Sequence, residues 1–115
     1  MSQYLVLIYG DEQAIGQAGQ PVWDDVTKGH IQFGETYGSA LAGGNKLKEG
    51  ATATSVRPDG SGGFTITDGP FAETKEVLGG YYLVEAASLD EALAMAKAIP
   101  MPFGGVEVRP IDPLM

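Results

Sequence analysis

Two stretches of the chain have apolar side chains at consecutive positions, so that both faces of an extended segment would be apolar, and both stretches are predicted to be strands. In residues 4–9 one face carries Tyr4, Val6 and Ile8, and the other carries Leu5, Leu7 and Tyr9. Residues 79–85 have the same character, with Tyr81 and Leu83 opposite Tyr82 and Val84. Strands that are apolar on both faces are typical of the middle of a sheet, so we expect both strands to be central.

An amphipathic helix is predicted from Pro21 to about Leu41, because apolar positions recur there at intervals of three, four or their multiples. His30, the single histidine of the chain, lies on this inward-facing stripe. The other members of the stripe are Trp23, Val26, Phe33, Tyr37 and Leu41. Gly43 and Gly44 are predicted to end the helix.

Three glycines interrupt this predicted helix: Gly29, Gly34 and Gly38. Each should cost about 1 kcal/mol relative to alanine in a helix interior. We therefore expect a compensating feature, either the close approach of another element or a bent or frayed helix end.

A second helix is predicted to begin after Ser88, because Ser88 and Glu91 have the spacing of a capping box. Pro100 and Pro102 end it. Its predicted buried stripe consists of Leu89, Ala92, Leu93, Ala96 and Ile99.

The remaining segments are predicted to be extended. Residues 45–48 and 51–57 precede a glycine-rich turn, so that residues 52–67 indicate a hairpin. Residues 105–111 form a last strand, which a proline near its end marks as peripheral.

These elements follow the order β-α-β-β-α-β with an added hairpin, which predicts an α+β, ferredoxin-like fold with the first and third principal strands in the middle. Two helices cover only one face of a four-stranded sheet, so the second apolar face needs another cover. We expect a second copy to provide it, as a homodimer whose two sheets pack face to face in an α/β barrel.

The length of 115 residues suits one domain. The chain has no cysteine, so disulfides and thiolate metal sites are excluded. The N-terminal segment has neither a basic region nor an apolar run of membrane-spanning length, and we expect a cytoplasmic protein. The net charge of −8 disfavours direct contact with nucleic acid or anionic membranes, although acidity also serves solubility alone.

The segment from Asp68 to Glu76 is dense in turn residues and charges. Asp68, Gly69 and Pro70 have the pattern of a turn, because Asp bonds to following amides and Gly accepts a positive φ. Glu73, Lys75 and Glu76 then follow within a few residues. A solvated loop explains this pattern as well as a functional site does.

His30 titrates near neutral pH, which suits general acid–base catalysis. A buried, neutral histidine with one satisfied nitrogen is the structural alternative. The catalytic interpretation requires a carboxylate that orients the ring, and Asp68 or Glu73 is the candidate.

The run Thr67–Glu76, followed by Leu78–Tyr82, resembles the signature of the DGPF-domain proteins, a branch of the YCII-related family. The resemblance extends over nearly the whole chain, through residues 7–10, His30 with Phe33, residues 51–54 and residues 107–110. It implies a ferredoxin-like fold that dimerises as an α/β barrel, with a site containing His30 and Asp68.

In the mechanism that this resemblance suggests, Asp68 accepts a hydrogen bond from one ring nitrogen of His30. The other nitrogen then removes or delivers a proton on a small organic substrate. The expected substrate contacts are Tyr9, Glu73, Lys75, Tyr82 and Arg109. Lys75 or Arg109 would hold an anionic group, whereas the tyrosines would line a cavity or simply fill the core.

No metal and no cofactor is expected. One histidine, no cysteine and scattered carboxylates do not suit a transition-metal site, and the glycines match no nucleotide-binding motif.

Two functions remain open from the sequence. The first is a cofactor-independent enzyme with lyase or isomerase chemistry, as in related dimeric α/β-barrel families. The second is a non-catalytic ligand-binding or regulatory module, since DGPF-type proteins are sometimes associated with alternative sigma factors.

Overall fold

The chain forms a four-stranded sheet, a separate two-stranded hairpin and three α-helices, in a computed structural model that describes residues 1–113. The strands are β1 Ser2–Asp11, β2 Leu41–Lys46, β3 Thr54–Pro58, β4 Phe64–Asp68, β5 Glu76–Ala86 and β6 Gly104–Pro110. The helices are α1 Glu12–Gln17, α2 Gln20–Tyr37 and α3 Leu89–Ala96, and short 3-10 turns cover Gly38–Ala40 and Gly50–Thr52.

The main sheet is antiparallel, with the strand order β2-β5-β1-β6. The strands β1 and β5 are therefore central, as their apolar faces predicted. Helix α2 joins β1 to β2 and helix α3 joins β5 to β6, while β3 and β4 form the added hairpin. The α+β class and the predicted order of the principal elements are confirmed.

The core lies between this sheet and the helices α2 and α3. Tyr4, Val6 and Val84 point from the two central strands into it, and Phe33 of α2 is the largest side chain that is fully buried. Leu5, Leu7 and Leu83 alternate with these residues and therefore lie on the opposite face of the sheet, where they are half-buried.

The inward stripe of α2 is as predicted from Trp23 to Tyr37, and one of its glycines has a clear reason. A Cβ at Gly29 would lie 2.3 Å from Cγ of Pro100, so the segment that follows α3 crosses α2 at this position. At Gly34, by contrast, no described atom beyond the helix's own backbone and the chain neighbours lies within 4 Å of the corresponding point. Close approach thus explains Gly29 but leaves Gly34 unexplained.

The predicted end of the helix was wrong. Helix α2 ends at Tyr37, and Leu41, Gly43 and Gly44 belong to β2, which pairs with β5. A Cβ at Gly44 would lie 2.8 Å from the Tyr81 carbonyl oxygen, so this glycine permits the close pairing.

Helix α1 was not predicted from the sequence, although its cap was visible there. Asp11 Oδ1 accepts hydrogen bonds from the backbone N–H groups of Gln13 at 3.0 Å and Ala14 at 3.3 Å. An aspartate in this position is a common helix N-cap.

The Ser88 N-cap of α3 is confirmed, because the Ser88 hydroxyl accepts from the Glu91 N–H at 3.2 Å. The reciprocal bond of a capping box is displaced by one residue, since the Glu91 carboxylate accepts from the Ala87 N–H at 3.3 Å. The predicted stripe of α3 is only partly correct: Leu89 and Leu93 are 46% and 38% exposed. The buried positions are Ala92, Met95, Ala96 and Ile99. The sheet-facing stripe is centred on small alanines, which allow close packing, and both leucines lie beside it.

Candidate binding site

A cavity of about 490 Å³ lies between α2, the strands β1, β2 and β5, and the segment 100–103. Its wall is largely apolar, with the Trp23 and Phe103 rings packed at a centroid distance of 5.6 Å. Helix α2 presents Trp23, Val26 and His30 to it at helical spacing. A cavity of this size and character suits a small organic ligand.

His30 and Tyr82 form a hydrogen-bonded pair on the wall of this cavity. Nδ1 of His30 lies 2.7 Å from the phenol oxygen of Tyr82, across from α2 to the central strand β5. The Phe33 ring packs against Tyr82 at 4.8 Å between centroids and supports it from the core side. The pair thus connects a helix and a strand that the core already fixes.

Both members of the pair are biased towards their neutral forms. Partial burial lowers the pKa of His30 below its ordinary value, and the nearby Lys46 charge lowers it further. Burial raises the pKa of Tyr82. At neutral pH the imidazole is therefore predominantly uncharged and the phenol keeps its proton.

Lys46 is the cation of this site. It lies at the end of β2, lines the cavity, and places Nζ 5.4 Å from the centre of the Trp23 ring. Asn45, the preceding residue, donates to the Tyr81 hydroxyl at 3.0 Å.

Asp68 lies elsewhere, at the end of β4 in the exposed hairpin. The turn interpretation fits its surroundings: Gly69 has φ of +97°, donates its N–H to Ala53 at 2.7 Å and accepts from the Ser55 hydroxyl at 2.6 Å. Within residues 1–113 no hydrogen bond or ion pair joins Asp68 to His30. The dyad of these two residues stays a prediction.

The five predicted substrate contacts are divided. Tyr9 and Tyr82 line the cavity. Lys75 and Tyr9 border a shallow groove outside it, where Lys75 Nζ lies 3.8 Å from the Asp11 carboxylate. Arg109 donates from Nε to Glu107 at 2.8 Å, and Glu73 is exposed. Neither Glu73 nor Arg109 lines the cavity.

Lys46 and Phe103 were missed as site residues. Lys46 follows two glycines that indicated a helix end, and Phe103 follows two prolines that indicated only a stop. The signal for Lys46 is that it lies next to the aromatic stripe of α2. That proximity becomes visible only once β2 is known to pair with β5.

Residues 1–113 contain neither a side-chain cluster suited to a metal ion nor a helix suited to a membrane. No three histidine, cysteine or carboxylate side chains of this part of the chain are grouped so that they could hold a metal ion. Likewise, none of the helices described there is both long and apolar enough to cross a membrane.

The fold and the site together define an α+β protein with an apolar cavity against its sheet and a histidine–tyrosine pair in the cavity wall. A model of the YCII-related domain matches residues 2–115. An uncharacterised protein of Rhizobium meliloti (strain 1021) is 37% identical over 112 residues, which cover 94% of this chain and 90% of that protein. The chain therefore belongs to the YCII-related domain family.

Proposed function

We propose that this protein binds a small organic molecule in the cavity beside α2 and transfers a proton on it, with His30 and Tyr82 as the acid–base pair. The observation that carries this proposal is the 2.7 Å contact between His30 Nδ1 and the Tyr82 hydroxyl on the cavity wall. A hydrogen-bonded pair of neutral groups next to an apolar cavity is suited to moving one proton at a time.

The pair offers the ligand a donor in one tautomer and both an acceptor and a donor in the other. If Tyr82 donates to Nδ1, the proton of the neutral ring is on Nε2, which can donate it. If Nδ1 carries the proton and donates to the phenol oxygen, Nε2 is a free base and the Tyr82 O–H is a free acid. The second tautomer supports removal of a proton by His30 and delivery of one by Tyr82.

This chemistry corresponds to a cofactor-independent isomerase or lyase. In an isomerase the proton taken from one position returns at another, and in a lyase its removal accompanies departure of a neighbouring group. We propose a homodimer as the working form, since the sheet face with Leu5, Leu7 and Leu83 lies opposite the helices.

A nitrogen-15 NMR measurement on the His30 ring tests the pair. Tyr82→Phe should change the Nδ1 resonance and the tautomer balance, because it removes the hydroxyl that bonds to Nδ1. Asp68→Asn is the matched control. It should leave the Nδ1 resonance and the tautomer balance unchanged, because Asp68 is not bonded to His30 within the chain. The opposite result, a response to Asp68→Asn alone, would restore the His30–Asp68 dyad and remove Tyr82 from the acid–base role.

The second candidate is a non-catalytic ligand-binding or regulatory module. The resemblance to DGPF-domain proteins suggests that such a module would act with an alternative sigma factor. Exposed apolar side chains on the hairpin favour it: Val56, Phe64 and Ile66 are 51%, 66% and 69% exposed. A metabolite screen for increased melting temperature would identify ligands. Exchange of a bound ligand's carbon-attached protons in deuterated water, reduced in Tyr82→Phe, supports the enzyme; binding without exchange supports the module.

A further inference from the structure

We infer that the ligand of the cavity is an anion whose charged group binds the ammonium group of Lys46. The inference rests on the proposed function of this cavity as the ligand site. It concerns the class of the ligand and is independent of whether His30 and Tyr82 transfer a proton.

The charge of the cavity lining is opposite to that of the chain. The full chain has 15 acidic and 7 basic residues. Among the described residues, however, the cavity is lined by Lys46 and His30 and by no aspartate or glutamate. A cavity free of carboxylates in so acidic a chain disfavours cationic ligands and avoids repelling an anion.

Lys46 is available to bind such an anion. In the part of the chain that the structure describes, its ammonium group has no carboxylate within ion-pair distance. It lies instead near the Trp23 ring, 5.4 Å from the centroid, at the edge of the apolar wall. A cation that is already held by an aromatic face needs little further ordering to accept a ligand's charge.

The rest of the cavity lining indicates the chemical character of the part of the ligand that carries no charge. Trp23 and Phe103 present two aromatic rings, and Ile8, Val26 and Met101 add aliphatic surface. One lysine beside an apolar wall suits a monoanion with a flat, apolar body, such as an aromatic carboxylate. Lys46 and His30 line the same cavity, so the anion would bind in the cavity that also contains the acid–base pair.

Benzoate and its neutral analogue benzamide test the inference. Trp23 is the only tryptophan of the chain and lines the cavity, so its fluorescence, excited at the red edge of its absorption, reports occupancy. Wild type should bind benzoate at least roughly tenfold more tightly than benzamide, because a hydrogen bond to a charged group adds that much. Lys46→Met should lose this preference while keeping the affinity for benzamide.

Lys28→Met is the matched control. It removes the same charge from α2 at an exposed position outside the cavity lining, so the preference for benzoate should persist. Equal affinities of wild type for the two probes, or an undiminished preference in Lys46→Met, would overturn the inference. Loss of the preference in Lys28→Met would also overturn it, because diffuse charge would then be the cause. Absence of benzoate binding to wild type would also overturn the inference. The acid–base pair is tested separately, by the His30 resonance in ligand-free protein.

Discussion

His30 and Tyr82 are each held neutral by the same physical cause, partial burial, which acts in opposite directions on their pKa values. Burial lowers the pKa of an imidazole and raises that of a phenol, because it disfavours whichever form is charged. The interval in which both groups are neutral is thus wider than for the isolated side chains. Each group therefore starts the reaction in the form that its role requires, His30 as a neutral base and Tyr82 as a protonated acid.

The lowered pKa of His30 predicts a pH-dependent contribution to stability. The unfolded chain takes up a proton on His30 near its ordinary pKa of 6.5, whereas the folded chain resists it to lower pH. Between the two pKa values the unfolded state binds more protons, so wild type loses stability as the pH falls through this interval, and the effect vanishes above it.

Urea unfolding of wild type and His30→Gln at a series of pH values from about 5 to 8 checks this sign. The stability of wild type relative to the variant should decline as the pH is lowered from 7 to 5. A relative stability that rises over the same interval would show that His30 gains a partner for its charged form, as the Asp68 dyad requires.

The sequence alone located part of this site. Helical spacing predicted that His30 and Trp23 face inward, because that property depends only on the period of α2. The contact of His30 with Tyr82 joins residues 52 positions apart and depends on how α2 crosses β5. Asp68 was favoured by its signature, but a turn pattern specifies local backbone and says nothing about which distant side chain lies nearby.

The glycines of α2 show how one element is adapted to its neighbour. Gly29 faces the Pro100 ring and Gly34 faces open space, although both lie within the same helix. Alanine favours a helix by about 1 kcal/mol over glycine, so the sign of each substitution depends on whether a methyl group fits.

Gly29→Ala and Gly34→Ala should therefore have opposite effects. Gly34→Ala should stabilise the protein by roughly 0.5–1 kcal/mol through the helix preference. Gly29→Ala should destabilise it by about 1–2 kcal/mol, because the methyl group would overlap Pro100 and displace the segment that borders the cavity. Denaturant unfolding of the pair measures both values; equal stabilisation by the two would mean that Pro100 does not pack on Gly29.

Elements with a side-chain pattern or clear turn residues could be predicted from the sequence. An element that forms only through backbone pairing with a distant strand could not. The strands β1 and β5, the helix α2 and the hairpin all follow from alternation, helical spacing or turn residues. Strand β2 contains Gly43 and Gly44, which carry no pattern, and it is a strand because β5 offers it backbone hydrogen bonds. Asn45 and Lys46 were predicted to be extended, but a strand that contains two glycines does not show which of its side chains face the cavity, so Lys46 was missed as the cation.

The molecule as a whole is thin and extended. Its principal extents are 49 × 42 × 17 Å, and its radius of gyration is 16.2 Å, whereas a compact domain of 100 residues has about 13 Å. The hairpin contributes to this shape, because every residue of β4 and all but Ser55 of β3 are exposed. A single layer of helices on a single sheet leaves the other face of the sheet to be covered by something else.

We propose that a second copy covers this face, and sedimentation of one substitution with its control tests it. Wild type should sediment as a dimer at micromolar concentration. Leu83→Lys should dissociate it, because it places a charge at the centre of the face that carries Leu5 and Leu7, where a two-fold axis would bring like charges together. Leu93→Lys makes the same change in the last turn of α3, on the exposed surface, and should leave the dimer intact.

A monomeric wild type, or dissociation by Leu93→Lys with none by Leu83→Lys, would contradict the sheet-to-sheet dimer. If the hairpins instead hold the two copies together, both variants would remain dimeric, and that result would equally contradict an interface centred on Leu83.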